Sequence, residues 1–97
     1  MKINLSGYTE AALTLSTHHI SQETARWLDK VINGVQYTNL VVYDKPDYGW
    51  FIATGECDDE VPADLSFLIG IAMGSGHDWL QLDCDAQHHD ELPYFDW

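Results

Sequence analysis

The chain has 97 residues, enough for one hydrophobic core and too few for two, so we expect a single domain over residues 1–97. A hydrophobic content of 45%, with 4 Trp, 5 Tyr and 3 Phe, excludes a disordered acidic tail. The formal net charge of −12 excludes direct binding to nucleic acid or to an anionic membrane through a basic surface. No apolar run approaches the roughly 20 residues that span a bilayer, and the first ten residues do not resemble a signal peptide, so a cytoplasmic location in a bacterial host is expected.

The first third of the chain predicts a strand followed by a helix. Residues 11–16 read as a strand, and Ser21 is a candidate N-cap for a helix over residues 22–33. Gly34 fits the position just after that helix, because glycine takes a positive φ without steric cost.

The middle of the chain predicts a β-hairpin. Residues 36–43 are rich in β-branched and aromatic side chains, which favour strands. Residues 44–49 carry turn chemistry, and residues 50–54 return as a second strand. We therefore predict one hairpin over residues 36–54.

The second half repeats the order of helix and strand. Pro62 suits the first turn of a helix that ends near Gly74, and residues 78–84 alternate as a strand does. The tail, residues 85–97, ends in aromatic side chains and is expected to pack back on the domain. The order βαββαβ predicts an α+β two-layer sandwich of the ferredoxin-like type, with a four-stranded antiparallel sheet and two helices on one face.

The excess of negative charge lies in the second half of the chain. Residues 46–97 contain twelve acids and no lysine or arginine, whereas residues 1–45 are balanced. Such a surface attracts basic partners, and it exceeds the net charge of about 2–8 that solubility of a small domain requires. The candidate partner-binding residues are the acids of two clusters: Glu56, Asp58, Asp59, Glu60, Asp64, Asp78, Asp83, Asp85, Asp90 and Glu91. The alternative is a solvated face that only keeps the protein soluble.

The sequence gives weaker support for a metal site and for a catalytic site. Residues 83–91 offer oxygen, sulfur and imidazole ligands, but they match neither an EF-hand loop nor a zinc motif, so no metal and no cofactor is predicted. Acids flank Cys57 and Cys84 and oppose thiolate formation, and no catalytic motif accompanies the histidine pairs His18-His19 and His88-His89. The sequence therefore does not predict an enzyme. Tyr48 and Trp97 stand at a turn and at the chain end, where they belong either to the core or to an interface.

Several short segments also carry a resemblance to a known family. They are Ser16-Thr17-His18-His19-Ile20, residues 24–28, residues 47–52, residues 78–83 and residues 92–97. From about residue 13 onward the chain resembles a small domain family of unknown function, encoded on proteobacterial plasmids and prophages near anti-restriction and toxin–antitoxin genes. In size and acidity alone it is also similar to anti-CRISPR and anti-restriction proteins that mimic DNA. This resemblance implies a role in evading host defence, and it transfers no catalytic residue.

Charge and resemblance together lead to one functional expectation. The chain is expected to inhibit a bacterial defence complex by occluding a basic nucleic-acid-binding groove as an acidic DNA mimic. The alternatives left open are a metal-binding or regulatory module that uses the Asp83–Glu91 loop, and an acidic partner of a plasmid toxin.

Overall fold

The computed structural model describes residues 11–97. All the predicted strands and helices, from the strand over residues 11–16 onward, lie within this range. The elements in chain order are β1 (Ala12–Ser16), α1 (Gln22–Ile32), β2 (Val42–Lys45), β3 (Gly49–Ala53), α2 (Ala63–Gly74) and β4 (Trp79–Asp83). A single 3-10 turn, Thr17–His19, follows β1. The predicted order βαββαβ and the α+β class are therefore confirmed.

The four strands form one sheet in the order β1-β4-β3-β2. β3 pairs antiparallel with both β2 and β4, but β1 pairs parallel with β4, with Leu13 opposite Leu80. The prediction of a fully antiparallel, ferredoxin-like sheet is wrong on this point, because β1 lies at an edge beside β4. The alternation of buried and exposed side chains is the same for either strand direction, so local pattern does not distinguish the two arrangements.

One face of the sheet forms the core together with both helices. Alternate strand residues point to this face: Leu13, Leu15, Trp50, Ile52, Leu80 and Leu82. Leu28 of α1 and Leu65, Leu68 and Ile69 of α2 belong to the same buried cluster. Burial of this apolar area is the main source of stability, at about 25 cal/mol per Å². The opposite face carries the aromatic residues Tyr43 and Trp79, whose rings lie 5.9 Å apart.

The helices begin and end within one residue of the predicted positions. The Ser21 side chain accepts a hydrogen bond from the Thr24 amide, 3.2 Å away, which satisfies one of the free N–H groups of the first turn of α1. Gly34 has a φ of +74°, as expected for a residue just after the helix. Pro62 precedes α2 as its N-cap residue, and Asp64 lies in the first turn, where the helix dipole favours a negative charge.

The first strand of the hairpin is shorter than predicted. β2 covers Val42–Lys45, and residues 36–41 do not form a strand despite their composition. The amides of Val35 and Gln36 donate to the Lys30 carbonyl, and the Asn39 amide donates to the Asp58 side chain. Because these bonds bind residues 35–39 to a helix end and to a loop, this part of the backbone is not free to join the sheet. The Val41 carbonyl is already at the sheet, where it accepts from the Ala53 amide of β3 at 3.0 Å.

The hairpin turn brings two backbones into close contact. Pro46 and Asp47 occupy the centre of the turn, Asp47 has a φ of +70°, and the Tyr48 amide donates to the Lys45 carbonyl at 3.0 Å. This is the pattern of a type II turn. Gly49 follows with a φ of +156°, and a Cβ added there would lie 1.8 Å from the Leu82 carbonyl oxygen on β4. Only glycine fits this position.

The C-terminal tail packs back on the domain, as predicted. The Phe95 amide donates to the His18 carbonyl at 2.7 Å, and the Trp97 indole Nε1–H donates to the Ile20 carbonyl at 2.7 Å. The tail therefore lies along the segment that joins β1 to α1. Within residues 11–97, no helix combines the length and the apolar character needed to cross a bilayer.

Candidate protein-binding surface

The ten acids predicted to bind a partner divide into two groups. Four of the carboxylates accept hydrogen bonds from elsewhere in the domain, and these are Asp58, Asp64, Asp78 and Asp83. The other six are exposed, and these are Glu56, Asp59, Glu60, Asp85, Asp90 and Glu91. Among residues 11–97, these six have no ion pair with lysine or arginine; their nearest partners are the Cys84 thiol for Asp85 and the His88 imidazole, 3.6 Å from Asp90.

Asp64 joins the N-terminal ends of the two helices. Its Oδ2 accepts from the Ser21 amide at 2.8 Å, and its Oδ1 accepts from the Thr24 hydroxyl at 2.6 Å and from the Leu65 amide at 2.9 Å. The carboxylate therefore satisfies N–H groups of both first turns. Asp64 is a structural residue rather than a free binding group.

Asp58 connects the acidic loop to the segment before β2. Its Oδ2 accepts from the Asn39 amide and from the Thr38 hydroxyl at 2.9 Å, while its Oδ1 accepts from the Glu60 amide at 3.0 Å. The hydrogen bond from the Asn39 amide, supported by those from Thr38 and Glu60, holds the pKa of Asp58 below its usual value. The ionised form is thus the one that the fold uses.

We expect Asp58→Asn to lower the melting temperature at neutral pH, because the amide nitrogen cannot accept the hydrogen bonds that one carboxylate oxygen accepts now. A depressed pKa contributes stability above the ordinary aspartate value of about 3.9 and loses it as the pH falls through the folded value. The difference between wild type and variant should therefore shrink as the pH falls below about 4. Thermal unfolding at pH 7 and pH 3 measures it.

Asp59→Asn is the matched control for this experiment, because the neighbouring Asp59 side chain is exposed and accepts no hydrogen bond within residues 11–97. It removes the same charge and should leave the melting temperature nearly unchanged at both pH values. Equal effects of the two substitutions would show that Asp58 contributes only through its charge.

Asp83 forms an ion pair with Lys45 on the face of the sheet opposite the helices. The Lys45 Nζ lies 2.7 Å from the Asp83 Oδ2 and sits over the rings of Tyr48 and Phe51, 5.4 and 5.5 Å from their centroids. Lys45, Gly49 and Asp83 are opposite one another on three adjacent strands, so the pair passes over the glycine between them. The hydrogen bond from Lys45 is the main reason that the pKa of Asp83 lies below its usual value.

Two of the predicted acids, Asp78 and Asp83, lie far apart on the sheet. Asp78 directly precedes β4 and Asp83 ends it, so the two lie at opposite ends of the same strand. At about 3.3 Å per residue, the five-residue step separates their Cα atoms by roughly 16 Å. The two acids therefore mark both ends of the sheet.

The Asp83–Glu91 loop brings together fewer metal-ligand atoms than its sequence offers. Ligand atoms of Asp83, Cys84 and Asp85 lie within 4.8 Å of one another. Both oxygens of the Asp83 carboxylate already have partners, since Oδ2 binds the Lys45 Nζ at 2.7 Å and Oδ1 accepts from the Asp85 amide at 2.8 Å. The two cysteines, Cys57 and Cys84, are both free and exposed.

The histidine pairs hold the C-terminal tail, a role that the sequence did not reveal. His19 is 1% exposed, its Nδ1 lies 2.7 Å from the Pro93 carbonyl oxygen, and its Nε2 accepts from the His89 amide at 2.9 Å. These partners assign the neutral tautomer with the proton on Nδ1, which donates to Pro93. His18 stacks on Tyr94, with ring centroids 5.2 Å apart.

A cleft of about 270 Å³ lies where α1, the hairpin turn and the tail meet. We call it the acidic–aromatic cleft, and its lining includes Asp29, Asp44, Asp47, Tyr48, Trp50 and Trp97 together with Lys45. None of these acids belongs to the ten predicted residues, because Asp29 and Asp44 stand in the charge-balanced first half and Asp47 lies in the hairpin turn. Tyr48 and Trp97, considered as interface anchors from their sequence positions, both line this cleft.

The chain is thus a small α+β domain with a mixed four-stranded sheet, an acidic surface and an aromatic tail. It belongs to a family of unknown function, DUF5983, whose C-terminal domain model matches residues 12–97. No curated protein and no solved structure matches the chain.

Proposed function

We propose that this domain is a non-catalytic inhibitor that binds the basic, nucleic-acid-binding surface of a bacterial defence protein, such as a CRISPR complex or a restriction enzyme. By occupying that surface it keeps DNA or RNA away. The observation that carries the proposal is the set of six exposed acids that form no ion pair with lysine or arginine within residues 11–97: Glu56, Asp59, Glu60, Asp85, Asp90 and Glu91.

The two groups of acids have different roles in this proposal. The first group accepts hydrogen bonds from other residues of the domain and so stabilises the fold; its members are Asp58, Asp64, Asp78 and Asp83. The six exposed acids repel one another and destabilise the compact state, a cost that binding to lysine and arginine side chains would offset. Their location on two loops suits contact with a groove that normally holds two rows of phosphates.

Charge complementarity of this kind acts mainly on the rate of association. Opposite potentials accelerate the encounter of the two proteins, and salt screens them over a Debye length of about 10 Å at 0.1 M. Affinity for the partner should therefore fall steeply as salt concentration rises, while the dissociation rate changes less.

The test uses two charge-neutralising triple variants and one matched control. The first replaces Glu56, Asp59 and Glu60 with their amides, and the second replaces Asp85, Asp90 and Glu91 in the same way. The control adds three positive charges elsewhere, through Gln22→Lys, Asn33→Lys and Met73→Lys, all at exposed positions. Each variant changes the net charge by the same amount.

We expect at least one neutralised cluster to weaken binding to the partner by about tenfold, and the control to weaken it much less. The partner is first recovered by affinity capture at low salt and identified by mass spectrometry, and its association rate is then measured for each variant. If both neutralised variants bind and inhibit like wild type, the proposed occlusion is wrong. If a toxin is recovered instead of a nucleic-acid-binding protein, the domain is the acidic partner of that toxin and the proposed inhibition is wrong.

A further inference from the structure

The C-terminal tail, residues 85–97, lies on the surface of the domain, and none of its residues is buried. Hydrogen bonds from the Phe95 amide and the Trp97 indole join it to the carbonyls of His18 and Ile20. A segment that buries little apolar area opens at a lower free energy than the core does. We therefore expect the tail to leave the domain before the sheet and the helices unfold.

His19 uses both of its ring nitrogens to hold this tail. Nδ1 lies 2.7 Å from the Pro93 carbonyl oxygen, and Nε2 lies 2.9 Å from the His89 amide nitrogen. A carbonyl oxygen only accepts and an amide N–H only donates, so Nδ1 carries the proton and Nε2 supplies its lone pair. The docked tail therefore requires a neutral His19 ring.

A proton on Nε2 is incompatible with this arrangement. It would point at the N–H of the His89 amide, and that amide would lose its acceptor. The charged ring would also lie at a position that is 1% exposed, where a charge without a partner is strongly unfavourable. Protonation of His19 and docking of the tail therefore exclude each other.

The other histidines near the tail do not have this property. The His18 Nδ1 donates to the Phe95 carbonyl, a bond that both charge states of the ring allow. The His89 Nδ1 accepts from the Glu91 amide, but this bond lies within the tail and does not join it to the domain. Within residues 11–97, His19 is thus the histidine whose neutral form connects the tail to the rest of the fold.

The charges on the surrounding elements do not compensate a proton on His19. They belong to Glu23 and Arg26 on α1, Asp64 on α2, His77 before β4, and His88, His89, Asp90, Glu91 and Asp96 on the tail. Within residues 11–97, no ion pair joins any of them to His19. The net charge of −12 attracts protons in general, but salt screens it over about 10 Å at 0.1 M, whereas the His89 amide is in direct contact with the ring.

We propose that the tail is a pH-sensitive element of the fold, docked while the His19 ring is neutral and released when Nε2 binds a proton. The docked state excludes this proton and the released state accepts it, so docking is strongest above the ordinary histidine value of about 6.5 and weakens as the pH falls below it. Release uncovers the apolar pocket that Leu92 shares with Leu13, Leu15 and Ile71. The release needs no partner and does not rest on the proposed function.

The test is amide hydrogen exchange from about pH 7.5 to about pH 5, expressed as protection factors, which correct for the intrinsic pH dependence of exchange. The Phe95 amide reports docking, because it donates to the His18 carbonyl. Since release binds one proton, the Phe95 protection factor should fall by up to about tenfold per pH unit below about pH 6.5, until the tail is free. The amides of β4, the strand between β1 and β3, should stay at least about a hundredfold better protected than Phe95 at every pH, because release leaves the sheet folded.

His19→Gln removes the titrating ring and offers the His89 amide an oxygen acceptor in its place. It should lower the Phe95 protection factor at neutral pH, since the bond to Pro93 is lost, and leave it changing by less than about twofold per pH unit. The matched control, His88→Gln, removes an exposed histidine that bonds to no residue outside the tail, and it should keep the wild-type pH dependence.

If His19→Gln does not fold, the ring nitrogen NMR signals of His19 in the wild-type protein decide. They should show a proton on Nδ1 alone while Phe95 is protected, and a second proton only as that protection is lost. A doubly protonated His19 ring beneath a docked tail, or a Phe95 amide that exchanges only together with the amides of β4, would overturn the proposal. Equal pH dependence in the His19 and His88 variants would overturn it as well.

Discussion

Replacing Gly49 with alanine is expected to destabilise the domain by about 3 kcal/mol, because the new methyl group has no space beside β4. Its Cβ would lie 1.8 Å from the Leu82 carbonyl oxygen and 2.8 Å from the Leu82 carbonyl carbon. Both are backbone atoms of a central strand, so relief requires the β3–β4 pairing to shift. The ion pair between Lys45 and Asp83, which passes over Gly49, should weaken with it.

Two other glycines provide the controls for this measurement by chemical denaturation. Gly55 has nothing within 4 Å of an added Cβ, and Gly55→Ala should change the free energy of unfolding by less than about 0.5 kcal/mol. Gly70 lies within α2 with equally open space, and Gly70→Ala should stabilise the domain by roughly 0.5–1 kcal/mol. A loss below about 1 kcal/mol for Gly49→Ala would contradict the close contact described at this position.

His19→Ala is expected to destabilise the domain by about 3 kcal/mol and to release the tail. The substitution leaves a cavity at a position that is 1% exposed, and it removes the partners of the Pro93 carbonyl and the His89 amide. The remaining tail contacts, through His18 and Trp97, lie at the far end of the segment. Chymotrypsin should then cut at the aromatic residues of the tail faster than it does in wild type.

The control for the tail experiment is His88→Ala. His88 is exposed and touches Tyr94 and Asp90 without a buried hydrogen bond, so its loss should cost less than about 0.5 kcal/mol. A tail that stays as resistant to chymotrypsin in His19→Ala as in wild type would show that His19 does not anchor it.

The sequence predicted those parts of the fold that local chemistry determines. Ser21 marks the beginning of α1, Gly34 follows its end, and Pro62 precedes α2, because capping and backbone preference act within a few residues. The strand predicted over residues 36–43 was mostly wrong, since the Asn39 amide bonds to Asp58, nineteen positions away in the chain. The parallel pairing of β1 with β4 joins strands that are more than 60 residues apart in the sequence, about 67 positions between paired residues, so no local sequence pattern predicts it.

The candidate site was predictable in charge but not in geometry. The composition shows which half of the chain is acidic. It does not show that Asp58 and Asp64 accept hydrogen bonds within the domain, whereas Glu56 and Asp59 are exposed. That difference depends on which amides lie nearby after folding. The acidic–aromatic cleft was missed because its acids come from α1 and from the hairpin turn, which meet only through the tertiary structure.

Competition with DNA tests the central claim most directly. The captured partner is bound to a labelled duplex, and the domain is added at several salt concentrations while fluorescence anisotropy reports the bound DNA. Binding to the basic surface predicts that the domain displaces the duplex completely at each salt concentration, because the two ligands then exclude each other. A ternary complex, in which the duplex and the domain occupy the partner together at every salt concentration, would contradict it.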